Sequence, residues 1–193
     1  MATDRTILRL GKQDEGSFVS AEDFAEAEFS EPWRHECEGG RLVVLAPSGE
    51  GHIEAGKPWR DQLVLYKLAN PSRLYRVVNE AWVRVDGGTD RIGDIGVYFV
   101  QEGPKSRRSD RVPELIFEIV SPDRLSRDRD YQTKRLQYQA LGVQEYVVID
   151  RFSRTVTVMR FAPNRADERI LKSVDRYESP LLLGLSITLS DVL

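Results

Sequence analysis

Residues 114–120 of the chain read ELIFEIV. The side chains at positions 115, 117 and 119 are apolar and would face one side of a strand, and those at 116 and 120 are apolar and would face the other. Strands that are apolar on both faces lie inside sheets that are covered on both sides. The run therefore predicts a central strand. It also places Glu118 where burial costs several kcal/mol unless the carboxylate is paired or binds a cation.

Hydrophobic periodicity elsewhere predicts one short helix and strands interrupted by two main helices. Helices are expected from Ser20, as N-cap, to about Phe29, from about Pro58 to Ala69, and over 126–141 with Ser126 as N-cap. Strands are expected at 41–45, 75–78, 81–85, 94–100, 145–149, 155–161 and 170–174. This order predicts an α/β or α+β fold with a mixed sheet flanked by helices.

Composition excludes several classes of protein. The 193 residues carry a formal net charge of −3, which argues against binding nucleic acid by bulk charge alone. Cys37 is the only cysteine, so a disulfide framework and a cysteine-based zinc site are excluded within one chain. The apolar runs are too short to span a membrane and no secretory signal is visible. We expect a cytoplasmic protein with a loose arm over 1–16 and a single domain over 17–193.

Asp94 heads the strand 94–100, which could form a hairpin with 114–120. Pairing Val100 with Pro113 places Asp94 opposite Ile119, and a slip of one residue places it opposite Glu118. Directly opposed side chains lie about 5 Å apart, so two carboxylates could share a divalent cation such as Mg²⁺. The alternative for Asp94 is an ordinary turn residue, for which aspartate is common.

Lys134 lies within the helix predicted over 126–141. At about 100° per residue, it shares an arc of about 80° with Tyr131, Tyr138 and Leu141, which would face the sheet. Its ammonium group could point at the two carboxylates. The alternative is a simple helix ion pair with Asp130, four residues earlier. Both can hold, because Asp130 could orient the ammonium group.

Two carboxylates, a cation and a lysine can hydrolyse a phosphodiester. Two basic stretches, over 105–111 and 124–135, could guide the phosphates of DNA to such a site, although a run of charges is more often a solvated face. The candidate phosphate contacts are Lys105, Arg107, Arg108, Arg124 and Arg127.

Several residues occur in the order and spacing of a known family. They are Glu36 before Gly40, His52, Asp94, Glu118-Ile119-Val120-Ser121-Pro122, Asp130, Lys134, Tyr138, and 142–146 leading to Asp150. The arrangement resembles the Uma family, described as putative restriction endonucleases, of the PD-(D/E)XK nuclease superfamily. The resemblance covers roughly residues 17–193.

The resemblance implies a restriction-endonuclease-like fold and Mg²⁺- or Mn²⁺-dependent hydrolysis of DNA by a homodimer. It implies that Asp94 and Glu118 bind the metal. The superfamily lysine normally follows the glutamate by two residues, where this chain has Val120, so Lys134 from the next helix takes that role.

Further site-lining residues implied by the resemblance are Glu36, His52 and Tyr138. Gly93 replaces the proline that gives the superfamily its name. Pro58 interrupts the first helix, which could move His52 away from the site.

Three hypotheses follow from the sequence. The first is a metal-dependent endonuclease that acts on DNA. The second is a nuclease-fold protein that binds nucleic acid or a protein partner without cutting, which the acidic composition and the lack of a recognisable DNA-reading module favour. The third gives Asp94, Glu118 and Lys134 a purely structural role as a buried charge network.

Overall fold

The computed structural model describes residues 7–101, 112–162 and 165–193. The described α-helices are α1 (Ala21–Glu26), α2 (Glu50–Ala69), α3 (Arg124–Asp128) and α4 (Lys134–Leu141). The described strands are β1 (Arg9–Leu10), β2 (Glu28–Phe29), β3 (Arg34–Glu38), β4 (Arg41–Leu45), β5 (Leu74–Arg84), β6 (Asp90–Phe99), β7 (Leu115–Ile119), β8 (Glu145–Asp150), β9 (Thr155–Ala162), β10 (Arg165–Lys172), β11 (Arg176–Glu178) and β12 (Ser186–Thr188). A π-helical turn at Arg129–Thr133 joins α3 to α4.

The described residues form two compact units. The first runs up to Ser48 and includes Trp82–Ile92, and the second comprises the described parts of Gly49–Ala81 and Gly93–Leu193. The single domain over 17–193 and the arm over 1–16 stay predictions.

The first unit is built on the antiparallel pair β3 and β4, and β3 also pairs with β6 through Cys37 and Asp90. Ser20 caps α1, as predicted, by accepting a hydrogen bond from the backbone N–H of Asp23. The helix ends at Glu26, earlier than predicted, and β3 was not predicted. The small core of this unit gathers Leu10, Val19, Phe24, Cys37 and Leu42.

The second unit contains a mixed sheet in the order β10, β9, β8, β7, β6, with β5 also paired to β6. β7 and β8 are parallel, while β9 is antiparallel to β8 and β10, and β6 is antiparallel to β7. Every residue of β7 and β8 is buried. The central strand predicted from the apolar run at 114–120 is therefore confirmed.

The register of β6 against β7 is the slipped one of the two pairings that the sequence allowed. Ile95 lies opposite Phe117 and Gly96 lies opposite Ile116. Continuing this register by one residue brings Asp94 opposite Glu118. The two acidic side chains therefore belong to neighbouring positions on adjacent strands, at one end of the β6–β7 pairing.

The helix α2 begins at Glu50 and contains Pro58, so the prediction that it starts near Pro58 was wrong. Proline inside a helix removes a hydrogen bond and crowds the preceding turn, at a cost of about 3 kcal/mol. Burial of Trp59 and Leu63 on the same helix offsets that cost, since each contributes about 1.5–3 kcal/mol. The uninterrupted helix carries His52 in its first turn.

The helical segment predicted over 126–141 also differs from the structure. It begins at Arg124, and its N-cap is Asp123, whose carboxylate accepts a hydrogen bond from the N–H of Ser126. The π-helical turn then inserts where the N–H of Lys134 bonds to the carbonyl of Arg129. The helical period therefore changes immediately before Lys134, which the assumption of a regular α-helix could not show.

The main core of the second unit packs one face of α2 against the sheet and the C-terminal segment. Trp59 contacts both Phe117 and Tyr177, with ring centroids 6.0 and 5.4 Å apart. Within the described residues, every helix is too short or too polar to cross a membrane.

Candidate active site

A buried ion pair links the central strand to the helix that follows it. Lys134 Nζ lies 2.8 Å from Glu118 Oε1, and the hydroxyl of Tyr138 donates to the same oxygen at 3.3 Å. All three side chains are buried. The structure therefore brings Glu118 together with Lys134 and Tyr138, the lysine and one of the lining residues expected from the sequence.

Asp94 is held by groups from two other elements. Its Oδ2 accepts a hydrogen bond of 2.8 Å from the backbone N–H of Ile119, and its Oδ1 lies 3.1 Å from His52 Nε2. The side chain is 10% exposed. Because α2 continues through Pro58, His52 remains beside Asp94, contrary to the expectation that Pro58 could displace it.

The two carboxyl groups are shifted in opposite directions. Burial raises the pKa of Glu118 well above its usual 4.5, and the charges of Asp94 and Asp130 raise it further, against the lowering effect of Lys134. Burial also acts to raise the pKa of Asp94. The contact with His52 and the N–H of Ile119 outweigh that effect and lower the pKa to about 2. Asp94 therefore ionises at a lower pH than Glu118 does.

A third carboxylate, from the π-helical turn, lies close to the lysine. Asp130 is buried, and its Oδ1 lies 3.6 Å from Lys134 Nζ. The ion pair with Asp130 that sequence analysis offered for Lys134 therefore coexists with the contact to Glu118. Tyr131 and Leu141, which were also expected to face the sheet, are half-buried.

Asp94 and Glu118 suit a small, hard divalent cation. Both offer carboxylate oxygens, and Mg²⁺ is commonly bound by one or two carboxylates together with waters and substrate phosphates. Burial raises the pKa of Glu118 although Lys134 lies beside it, so a bound cation would favour the ionised form of this carboxyl group. Within the described ranges no cluster of three or more His, Cys, Asp or Glu side chains could hold a metal. Any site here therefore needs oxygens from water or substrate.

Gly93 lies directly against the site. A Cβ at this position would come within 2.8 Å of Ile116 Cγ2 and 3.8 Å of Glu118 Oε1. Any residue with a Cβ, proline included, would meet this crowding. The glycine thus lets β6 approach β7 closely at the position before Asp94.

Glu36, expected to line the site, has partners within the first unit. Its Oε2 lies 3.1 Å from Arg91 Nη1, and its Oε1 accepts a 2.9 Å hydrogen bond from the N–H of Ile92. Both Glu36 and Arg91 are fully buried. These partners give Glu36 a structural role. That it lines the site stays a prediction.

The basic residues proposed to contact phosphates differ in what they touch. Arg127 is paired with Asp150 at 2.6 Å, and Arg124, which is 92% exposed, lies 3.6 Å from Asp128. The remaining candidates, Lys105, Arg107 and Arg108, lie outside the described residues. The pairing of Arg127 weakens its claim as a phosphate contact, because its charge is already balanced.

Sequence analysis missed Arg151, which lies at the end of β8 against the first turn of α2. A Cβ on Gly51 would lie 2.6 Å from Arg151 Nη1. The sequence offered no usable signal, because a glycine marks a close approach only inside a recognised helix, and Gly51 lies before the helix predicted from about Pro58.

Comparisons with known proteins bear on the fold and on the family of the chain. No curated protein matches the chain. A crystal structure from Anabaena variabilis ATCC 29413, described as a putative nuclease belonging to DUF820, matches with a TM-score of 0.71. It is 20% identical in sequence, and the match covers 90% of this chain and 97% of that one. At this identity the likeness shows the fold, and it confirms the predicted nuclease-type mixed sheet.

The sequence of the chain also matches a family directly. The match is to Uma2, whose description is "Putative restriction endonuclease", and it covers residues 21–190. That range includes every described residue of the candidate site. The resemblance seen in the sequence is thereby confirmed, and the chain belongs to the Uma2 family.

Proposed function

We propose that the protein is a metal-dependent endonuclease that hydrolyses phosphodiester bonds of DNA. One observation carries the proposal: Glu118 on a central strand holds the ammonium group of Lys134 at 2.8 Å, beside the ionised carboxylate of Asp94. Strongly shifted acids with specific charged partners are characteristic of functional sites.

Asp94 and Glu118 would hold Mg²⁺ or Mn²⁺. When bound, such an ion polarises a phosphodiester and lowers the pKa of a coordinated water. In the overall reaction, water adds to phosphorus, one P–O ester bond breaks, and the leaving oxygen takes a proton. The products are a phosphate monoester and an alcohol.

Three further residues of the site have separate roles in the proposed reaction. Lys134 stabilises the negative charge that develops on the phosphate oxygens, because its ammonium group is already oriented by Glu118 and Asp130. His52 positions Asp94 and favours its ionised form. Tyr138 fixes the oxygen of Glu118 that faces the lysine.

Three parts of the proposal rest on the sequence and the family. DNA is the substrate that a restriction-endonuclease family implies. A homodimer would match the two-fold symmetry of duplex DNA. A cytoplasmic setting is consistent with one free cysteine, Cys37.

The test is incubation of the purified protein with supercoiled plasmid in Mg²⁺ or Mn²⁺. We expect nicking by the wild type, which Glu118→Gln and Asp94→Asn abolish and Lys134→Ala reduces by at least about a hundredfold. Glu54→Gln, an exposed change on α2, is the control and should nick normally. A wild type that leaves the plasmid intact in both metals would refute the proposal.

A non-cleaving, nucleic-acid-binding function is the second candidate. It is favoured by the two hydrogen bonds that Glu118 Oε1 already accepts, because they occupy an oxygen that a catalytic metal would otherwise bind. In that case the wild type would shift DNA in a gel, and neither metal would produce nicks.

A further inference from the structure

Arg151 is a residue to which the sequence pattern assigned no function. It directly follows Asp150, the last residue of β8. In the parallel pairing of β7 and β8, Ile149 lies opposite Ile119. The end of β8 therefore lies beside the end of β7 that carries Glu118.

A second set of contacts places Arg151 at the same site. Its Nη1 fills the space beside the backbone of Gly51, since a Cβ there would lie only 2.6 Å away. Gly51 immediately precedes His52, and His52 lies 3.1 Å from Asp94. The guanidinium group of Arg151 therefore lies beside Gly51, whose neighbour in the chain, His52, contacts the candidate metal ligand Asp94.

The guanidinium group of Arg151 is held in place by an aromatic ring, but one of its nitrogens lacks a hydrogen-bond acceptor among the residues that the structure describes. Its central carbon lies 4.3 Å from the centre of the Phe152 ring, a cation–π contact that orients the plane of the group. Its Nε is buried and has no hydrogen-bond partner among the described residues. Because no acceptor in the described residues takes up this donor, the guanidinium group is not committed to a partner within the chain, and its terminal nitrogens can bind an acceptor from outside.

Arg127 provides a useful contrast at the same end of the sheet. Its charge is balanced by Asp150 at 2.6 Å, and Asp150 is buried. For Arg151, no carboxylate within the described part of the chain makes an ion pair. Of these two arginines, Arg151 is the one whose positive charge is available to a ligand.

The geometry points to Arg151 as a residue that binds a backbone phosphate of DNA next to the bond that is cut. A planar guanidinium group presents donors in a fork that matches two phosphate oxygens. A flanking phosphate held there would place the neighbouring phosphodiester near Asp94. The identity of the ligand as DNA rests on the proposed function.

Gly51 then has a specific role in this contact. Alanine favours a helix over glycine by about 1 kcal/mol, so a glycine inside α2 needs a reason. The reason is space, because any Cβ at this position displaces the guanidinium group of Arg151. Gly51→Ala should therefore weaken the ligand contact while leaving the helix intact or more stable.

The test measures binding of a short fluorescein-labelled DNA duplex by fluorescence anisotropy in EDTA, over a series of salt concentrations. We expect Arg151→Gln to weaken binding about tenfold and to reduce the slope of log affinity against log salt by about 0.9. Arg154→Gln is the matched control, because Arg154 is an exposed arginine of the same turn, and it should bind like the wild type. Equal effects of the two substitutions, or no binding by the wild type, would overturn the inference.

Gly51→Ala supplies a second measurement that does not depend on removing the charge. We expect a weakening of binding comparable to that of Arg151→Gln, a melting temperature equal to or above that of the wild type, and no further loss in the double variant. Normal binding by Gly51→Ala would overturn the inferred position of the guanidinium group.

Binding in EDTA and nicking in Mg²⁺ separate this inference from the proposed function. A wild type that binds through Arg151 but never nicks refutes the nuclease alone. A wild type that nicks, with Arg151→Gln and Arg154→Gln indistinguishable in both assays, refutes the role of Arg151 alone.

Discussion

Lys134 Nζ and Glu118 Oε1 lie 2.8 Å apart in the interior of the second unit, with both side chains about 3% exposed. Buried ion pairs of this kind contribute little net stability, but removal of one partner leaves the other charge desolvated. Substitution of either residue is therefore expected to lower the free energy of unfolding, by an amount that depends on pH.

Lys134→Met should destabilise the protein more at high pH than at low pH. At about pH 8 we expect a loss of about 3 kcal/mol in the free energy of unfolding, because Glu118 is left buried without its ammonium partner. Near pH 5 the loss should be smaller, since the raised pKa of Glu118 means that its carboxyl group takes up a proton at a higher pH than an ordinary glutamate does. Urea denaturation at both pH values measures the difference. A loss independent of pH would contradict the assignment.

Glu118→Gln should have the opposite effect on the pH profile. Because the pKa of Glu118 is raised in the folded state, the folded state binds more protons, and the wild type loses stability as the pH rises above about 4.5. Glutamine cannot ionise and escapes this loss, at about 1.4 kcal/mol for each unit of pKa elevation. The melting temperature of the variant relative to the wild type should therefore rise from about pH 5 to about pH 8. A constant difference would show that Glu118 is not shifted.

His52→Gln should make the protein more sensitive to acid. The contact with His52 lowers the pKa of Asp94 to about 2, so its stabilising contribution is present above 3.8 and is lost as the pH falls towards about 2. Without His52 the pKa of Asp94 rises, and the midpoint of acid unfolding should move to higher pH. Circular dichroism during an acid titration measures this midpoint. In an Asp94→Asn background His52→Gln should leave it unchanged, and a shift there would refute the coupling.

Divalent cations should stabilise the wild type through the two acids. A cation at ten times its dissociation constant contributes about 1.4 kcal/mol to the folded state. We expect Mg²⁺ and Mn²⁺ to raise the melting temperature of the wild type and of Glu54→Gln, but not that of Asp94→Asn or Glu118→Gln. An equal shift in all four proteins would indicate binding elsewhere.

Glu36→Gln should destabilise the first unit strongly. Arg91 is fully buried against Glu36, so loss of the carboxylate charge is expected to cost about 3–5 kcal/mol. Glu38→Gln is the matched control, because Glu38 contacts the same arginine at 2.8 Å but its side chain is 52% exposed. Its cost should be at most about 1 kcal/mol. If urea denaturation gave the same loss in the free energy of unfolding for both variants, burial would not explain the importance of Glu36.

The candidate site was partly predictable because β7 is apolar on both faces. That pattern marked Glu118 as a buried carboxylate, and the helical stripe marked Lys134 as pointing inward. The register was not predictable, because pairings that differ by one residue fit the same apolar pattern. The π-helical turn was not predictable either, since it is defined by which backbone N–H and C=O groups form hydrogen bonds and not by the residue types.

The extent of α2 shows how tertiary packing overrides a local signal. Pro58 argued for a helix that starts late, yet burial of Trp59 and Leu63 keeps the helix intact from Glu50. As a consequence His52 reaches Asp94. Local propensities of a few kcal/mol are outweighed where several large apolar side chains are buried together.

The amino-acid sequence by itself determined the sheet-forming segments, the burial of Glu118 and the family to which the chain belongs. These depend on apolar periodicity and on the order of residues, which are local properties of the chain. Only the tertiary structure decided that Asp94 contacts His52 and that Arg151 lies against Gly51. Each of these contacts joins residues distant in sequence, and their distances depend on strand register and helix geometry, which the packed fold as a whole sets.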